Sequence, residues 1–296
     1  MYNNILEYKG GRYFWVSLVL LLVSFAVYFS QEAWRPPNGG TWQGYVLGTI
    51  GALLIVWLAY LGVRKRRYAS TLGTVQGWTS AHVYLGSSLL IIGTLHCAFQ
   101  FGLNVHTLAY VLMCIVIFSG FYGLYAYMRY PDKLSRNRSN QSLDQRFSEL
   151  DELDQQGKDI ASRCNTDIQT LINSAIARTS LGGGLWSQLK GQDNSKVELS
   201  ASEDNQSRTK VVDNRNQQAA IDYIAMRIPN VSKKQEAQDL QDILYIFGRR
   251  RELLNRIRRE ISLQARLKVW LLFHIPTTIV LIVALIIHIV TVFLYW

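Results

Sequence analysis

The sequence predicts an all-α protein, a five-span transmembrane helix bundle with a helical cytoplasmic insertion between spans four and five. Three observations carry that prediction. Apolar residues make up 49% of the 296-residue chain and gather in five runs, at 13–30, 44–63, 79–101, 106–128 and 268–295. Each run has roughly the 20 residues that a helix needs to cross a hydrocarbon core of about 30 Å, and each is almost free of charge, unlike an amphipathic surface helix. A strongly polar block fills 132–266. The predicted division is therefore 1–131 for spans one to four, 132–266 for the insertion and 267–296 for span five.

Span one, "YFWVSLVLLLVSFAVYFS", follows Lys9 and Arg12. It is longer than the apolar part of a signal peptide and lacks a small-residue cleavage site, which predicts a retained helix. Span two places Gly44, Gly48, Gly51 and Gly62 on one face, a pattern of close helix packing or of room for a flat group. Spans three and four contain no Asp, Glu, Lys or Arg. Span five carries Pro276, which predicts a kink beside His274.

Orientation follows from the basic residues. The N-terminus, the loop after span two and the polar block share one side and carry Lys9, Arg12, Arg64, Lys65, Arg66, Arg67, Arg129, Lys133, Arg136 and Arg138. The other side shows only Arg35. The positive-inside rule predicts a cytoplasmic N-terminus and insertion, with Trp296 outside, in a bacterial inner (plasma) membrane. Much of the net charge of +10 is thus juxtamembrane and suits the headgroups of a lipid bilayer. A nucleic-acid partner is not expected from charge arranged this way.

Within the insertion, Phe147, Leu150, Ile160, Cys164, Ile168, Leu171 and Ala175 recur at threes and fours and predict a helix over 142–180. Gly182, Gly183 and Gly184 break it, and the poorly apolar stretch from Lys190 to Asn216 predicts a mobile loop. A second helix is predicted from an N-cap at Ser232, with Leu240, Ile243, Phe247, Leu254, Ile257 and Ile261 as its stripe and no breaker before Trp270. Arg249, Arg250 and Arg251 read as a solvated or lipid-facing run. No phosphate-cradling glycine motif is present, so no built-in nucleotide or flavin site is expected.

The five histidines are the informative residues. "HVYLGSSLLIIGTLH" runs from His82 to His96, and "HIPTTIVLIVALIIH" from His274 to His288. In a helix this spacing rises about 21 Å and leaves the ends about 40° apart, on one face. Spans three and five are parallel, which puts His82 level with His274 and His96 level with His288. Imidazoles facing each other from two helices hold a b-type haem without a covalent link. The prediction is two stacked haems b, the inner on His82 and His274 and the outer on His96 and His288, with Gly86 and Gly93 making room on the same face. Zinc wants four clustered ligands, and a proton relay wants buried carboxylates that the spans lack. Cys97, Cys114 and Cys164 form no pairing pattern, and the absence of C-x-x-C-H excludes c-type attachment.

Histidine pairs at this spacing on spans three and five resemble the ferric reductase transmembrane domain family, which includes the NADPH oxidases, and are similar to the dihaem cytochrome b helix bundle. The resemblance covers spans two to five without the insertion. It implies two haems b carrying electrons across the membrane and applies to His82, His96, His274 and His288. With no flavin or nicotinamide site in view, electrons would come from a quinone pool or from other redox subunits, such as an external cytochrome or reductase module. His106 is predicted near the outer haem level. Arg35 outside, and Arg64, Lys65, Arg66 and Arg67 inside, could neutralise haem propionates. The competing expectation is a haem-free membrane scaffold that assembles partners through its cytoplasmic helices.

Overall fold

The computed structural model describes residues 5–31, 38–67, 71, 73–138, 141–201 and 208–294. Arg35, its neighbours Trp34 and Pro36, Trp296 and the side chains of Arg136 and Arg138 lie outside the described residues. The elements in chain order are α1 (Arg12–Phe29), α2 (Trp42–Arg66), α3 (Val75–His96), α4 (Val105–Arg138), α5 (Leu143–Ala161), α6 (Thr166–Ala177), α7 (Leu185–Lys190), β1 (Lys196–Ala201), β2 (Arg208–Asp213), α8 (Gln218–Arg227) and α9 (Lys234–Leu294). The chain divides into two compact units. One comprises Met1–Ala126 with Trp270–Trp296, the other Tyr127–Val269.

Among the described residues, four helices are long and apolar enough to cross a membrane: α1, α2, Val105–Tyr130 of α4, and α9. The first unit is built for an apolar surround. Leu22, Leu53, Phe118, Ile279 and Ile286 are exposed, whereas Ser17, Ser24, Ser80 and Ser88 are buried. Small polar side chains inside and large apolar ones outside are what lipid-facing helices show, since closeness between helices comes from small residues.

The apolar run at 79–101 falls mainly on α3, which is less apolar than its neighbours because it carries Thr79, Ser80, His82, Ser87, Ser88, Thr94 and His96. These groups are not wasted. Thr74 caps the helix by accepting from the Gly77 N–H at 3.1 Å, and Ser88 hydrogen-bonds Ser17 of α1. Tyr84 donates to the Leu6 carbonyl at 3.1 Å, and the Tyr8 ring lies where a side chain on Gly77 would project. Both α1 and α2 pack closely on α3. Pro276 sits inside α9, and the helix runs on through it.

The second unit departs from the predicted pattern in three places. The helix expected over 142–180 is two helices. Ser142 and Gln145 form a capping box that starts α5, and the Asn165 side chain accepts from the Ile168 N–H at 3.0 Å to start α6. That cap competes successfully with helix continuation, as Asn does. The expected loop contains an antiparallel hairpin, with Val197 opposite Val212 and Leu199 opposite Lys210. Its signal was the alternation in "KVELSA", in which Val197 is fully buried and Leu199 packs on the same core. A minor strand component therefore corrects the all-α expectation. Finally, α9 begins at Lys234, so Ser232 lies outside its cap.

The core of this unit joins Ile168, Leu171, Ile172, Val197, Ile224, Ile243 and Phe247. Three ion pairs thread it. Arg146 meets Glu260 at 3.1 Å, both fully buried; Arg250 meets Asp154 at 2.5 Å; Arg258 meets Asp193 at 2.8 Å. Burial pulls the Arg258 pKa below its usual value, and Asp193 opposes that shift. The run Arg249–Arg251 is thus not uniformly solvated. Arg250 is buried and also donates to Gln217 at 2.8 Å and Thr179 at 2.9 Å, while Arg249 makes an exposed pair with Glu149.

Breaking a buried pair from one side strands a charge, at a cost of about 3–5 kcal/mol, whereas replacing both partners with apolar residues is far milder. Glu260→Gln should therefore lower the thermal midpoint of the solubilised chain strongly, and the double change Arg146→Met with Glu260→Leu should recover most of the loss.

Candidate functional site

The first unit brings the paired histidines together. The ring centres of His96 and His288 are 6.0 Å apart with planes at 89°. His82 and His274 lie within electrostatic range of one another. Matching at both ends means that α3 and the last part of α9 run in the same direction. Two metal–imidazole bonds of about 2 Å each would put ring centres about 6 Å apart, which is the separation of this pair.

Each ring is held by its Nδ1. His82 Nδ1–H donates to the Leu58 carbonyl at 3.1 Å, and His96 Nδ1–H donates to the Gly44 carbonyl at 2.8 Å. His274 Nδ1 meets Ser119 Oγ at 2.7 Å. The Ser119 hydroxyl spends its proton on the Val116 carbonyl at 2.7 Å, so it accepts from His274. His288 Nδ1 is bonded to His106 Nδ1. A protonated Nδ1 in a neutral imidazole leaves Nε2 with its lone pair, which is how an outer partner fixes the tautomer of a ligand histidine. Three rings are locked in this state by oxygen acceptors, and the fourth takes it when His106 accepts.

Gly44 and Leu58 are as far apart on α2 as His82 and His96 are on α3, and each carbonyl has a glycine four residues later, Gly48 and Gly62. A side chain in a helix leans over the preceding turn, and the close approach that glycine permits is seen at Gly48 and not at Gly62. At Gly48 the fit is tight: a Cβ would lie 2.7 Å from His96 Cε1. Gly62 has open space.

A cavity of about 570 Å³ adjoins the outer pair, lined in part by Gly48, Gly51, Gly93, His96, His106 and His288. That volume is in the range of cofactor sites, about 300–1,000 Å³. Gly93 faces Met113, whose Cε would lie 2.6 Å from an added Cβ. Gly86 points toward Leu58 Cδ1 at 3.9 Å. Leu58, Leu89, Met113, Ile117 and Leu281 form an apolar cluster. Below it, the Trp270 ring leans on His274 with centres 5.4 Å apart and donates Nε1–H to the Ser119 carbonyl at 2.8 Å.

His106 is exposed, and its ring centre is 4.5 Å from that of His288. Arg64 is buried and donates to the Arg67 and Gly73 carbonyls at 3.0 and 2.6 Å, so its charge serves the loop. Among the described residues, no group of three or more His, Cys, Asp or Glu is arranged to hold a metal ion; the donors here come in twos. Ser119, Trp270 and the α2 carbonyls escape sequence reasoning. The one signal near them is the run of small residues Ser119, Gly120 and Gly123, and Trp270 lies where a Gly123 side chain would project.

Fold and site together define a helical, membrane-compatible unit with paired, pre-oriented imidazoles. No protein-family model matches the chain, and comparison with curated proteins and with solved structures gives no significant match.

The two glycines test the packing. In a helix interior Ala is worth roughly 0.5–1 kcal/mol over Gly where space is open. Gly62→Ala should hold or raise the melting temperature, and Gly48→Ala should lower it.

Proposed function

We propose that the chain is a dihaem membrane cytochrome b that relays single electrons across the bilayer as part of a redox complex. The observation that carries this reading is the set of Nδ1 contacts: three go to oxygen acceptors and leave Nε2 with its lone pair, and the fourth does so when His106 accepts, on histidines paired at matched levels of parallel helices. A neutral imidazole always keeps one nitrogen proton-free; what supports the reading is that the partners sit at Nδ1, which makes Nε2 the coordinating nitrogen wherever Nδ1 carries the proton. The donor set suits a group that brings its own equatorial ligands and asks the protein for two axial nitrogens, as haem does and zinc does not.

On this reading α3 is a fifth span beside the four apolar helices, and residues 132–266 are cytoplasmic by the positive-inside rule. Bound between the pairs, haem supplies reversible one-electron chemistry. His82 and His274 would hold the inner group, and His96 and His288 the outer. The α2 carbonyls, Ser119 and His106 orient these rings and raise the basicity of Nε2. Gly48, Gly51 and Gly93 line the cavity at the outer level, and the apolar cluster between the levels excludes water. Electrons would enter from a quinol or from another redox subunit.

The test is a reduced-minus-oxidised visible spectrum with haem quantification on the protein purified from its native membrane. Two haems b per chain are expected. His82→Ala or His274→Ala should remove one and spare the other, and His96→Ala or His288→Ala should do the reverse. A colourless protein that tolerates all four changes overturns the proposal in favour of a haem-free scaffold. Losing an outer partner typically weakens a metal site about 10–100-fold, so Ser119→Ala should reduce inner-haem retention while leaving the outer band.

A further inference from the structure

We infer that α7 is a membrane-surface anchor, with the anionic headgroup layer of the bilayer as its partner. Helix α7, "LWSQLK", buries none of its residues. Trp186 is 76% exposed and Leu185 beside it 43%. An exposed Trp and Leu on a short helix are uneconomical in water, so what lies next to them decides their meaning.

The position of α7 along α9 supplies the answer. The Leu189 carbonyl accepts from Ser262 Oγ at 3.1 Å and from Arg266 Nη2 at 3.4 Å. Gly191, at φ +61°, ends α7 in a left-handed cap whose Cβ would lie 3.9 Å from that of Ser262. The helix is therefore fastened to α9 at residues 262–266. The apolar run of α9 begins after Lys268. By helical rise, Arg266 stands about 4–5 Å and Ser262 about 10 Å before Val269. The headgroup layer is about 5–8 Å deep on each side of the hydrocarbon, which is the level where Trp is enriched as an interfacial anchor. Charge agrees: Lys190, Arg259, Arg266 and Lys268 are exposed around this end of α9, and basic residues beside a span draw anionic lipid. An exposed Trp and Leu with a basic rim, on a helix fastened to α9 just before its apolar run, fit lipid, and the inference uses none of the histidines, so it stands or falls independently of haem.

The full chain would be reconstituted into vesicles of phosphatidylcholine with phosphatidylglycerol, with and without acyl chains brominated near the headgroup. The Trp186 signal is the fluorescence difference between the unaltered chain and Trp186→Phe, a change at an exposed site that should leave folding intact. The difference signal should be blue-shifted, quenched by brominated lipid and sheltered from aqueous acrylamide. Quenching should weaken in vesicles without phosphatidylglycerol and in Lys190→Glu with Lys268→Glu. A signal quenched by acrylamide but not by brominated lipid means an exposed ring in water and overturns the anchor. A signal sheltered from both means that protein covers Trp186, which overturns it equally.

Discussion

The structure of the first unit turns on the need to satisfy the second nitrogen of an imidazole part-buried in an apolar bundle. An unpaired ring N–H there costs the desolvation of a polar group with nothing in return. Helix α2 meets the need with its backbone. Its carbonyls already accept within the helix, but each has a second lone pair, and at Gly44 the missing side chain of Gly48, one turn later, lets the His96 ring approach it. Because α2 and α3 are antiparallel, one register serves both contacts: Gly44 with His96 and Leu58 with His82.

Helix α9 is served by a different device with the same geometry. Its partner is α4, which offers side chains in place of carbonyls, Ser119 to His274 and His106 to His288. Each histidine helix therefore has one antiparallel neighbour that orients its rings. The two devices are not equivalent. A backbone carbonyl can only accept, whereas His106 can accept or donate, so the His288 tautomer alone depends on a second titratable ring. His106 is also exposed, unlike the part-buried Ser119 that holds His274.

Much of this was legible in the chain, and the remainder has a physical reason for being hidden. Equal histidine spacing on two apolar runs revealed which residues share a face, since helical periodicity is rigid. The glycine face of α2 was visible too, but its meaning was not. A carbonyl leaves no mark in sequence, so the partners of His82 and His96 appear only once the α2–α3 register is known. Ser119 was masked by its ordinariness, one hydroxyl in an apolar run. In the second unit the errors have another source. Asn165 ends one helix by starting another, and the alternation of Val197 and Leu199 is too short to stand out against a polar background.

Helix α3 shows why composition and function pull apart in such a bundle. It bears half of the paired histidines, yet it is the least apolar of the helices in its unit, because those histidines come with the serines and threonines that seat it against α1 and α2. A helix exposed to lipid on all sides could not carry so many polar groups, since each would seek a partner that hydrocarbon does not offer. Flanked by α1 and α2, α3 has its partners within the protein: Ser88 with Ser17, His82 with Leu58, His96 with Gly44. Shelter on that scale is what allows nitrogen donors to be kept at two depths. The lowered hydropathy of α3 thus goes with the polar groups it shares with α1 and α2, and the place where the apolar pattern weakens is the place where two of the paired histidines sit.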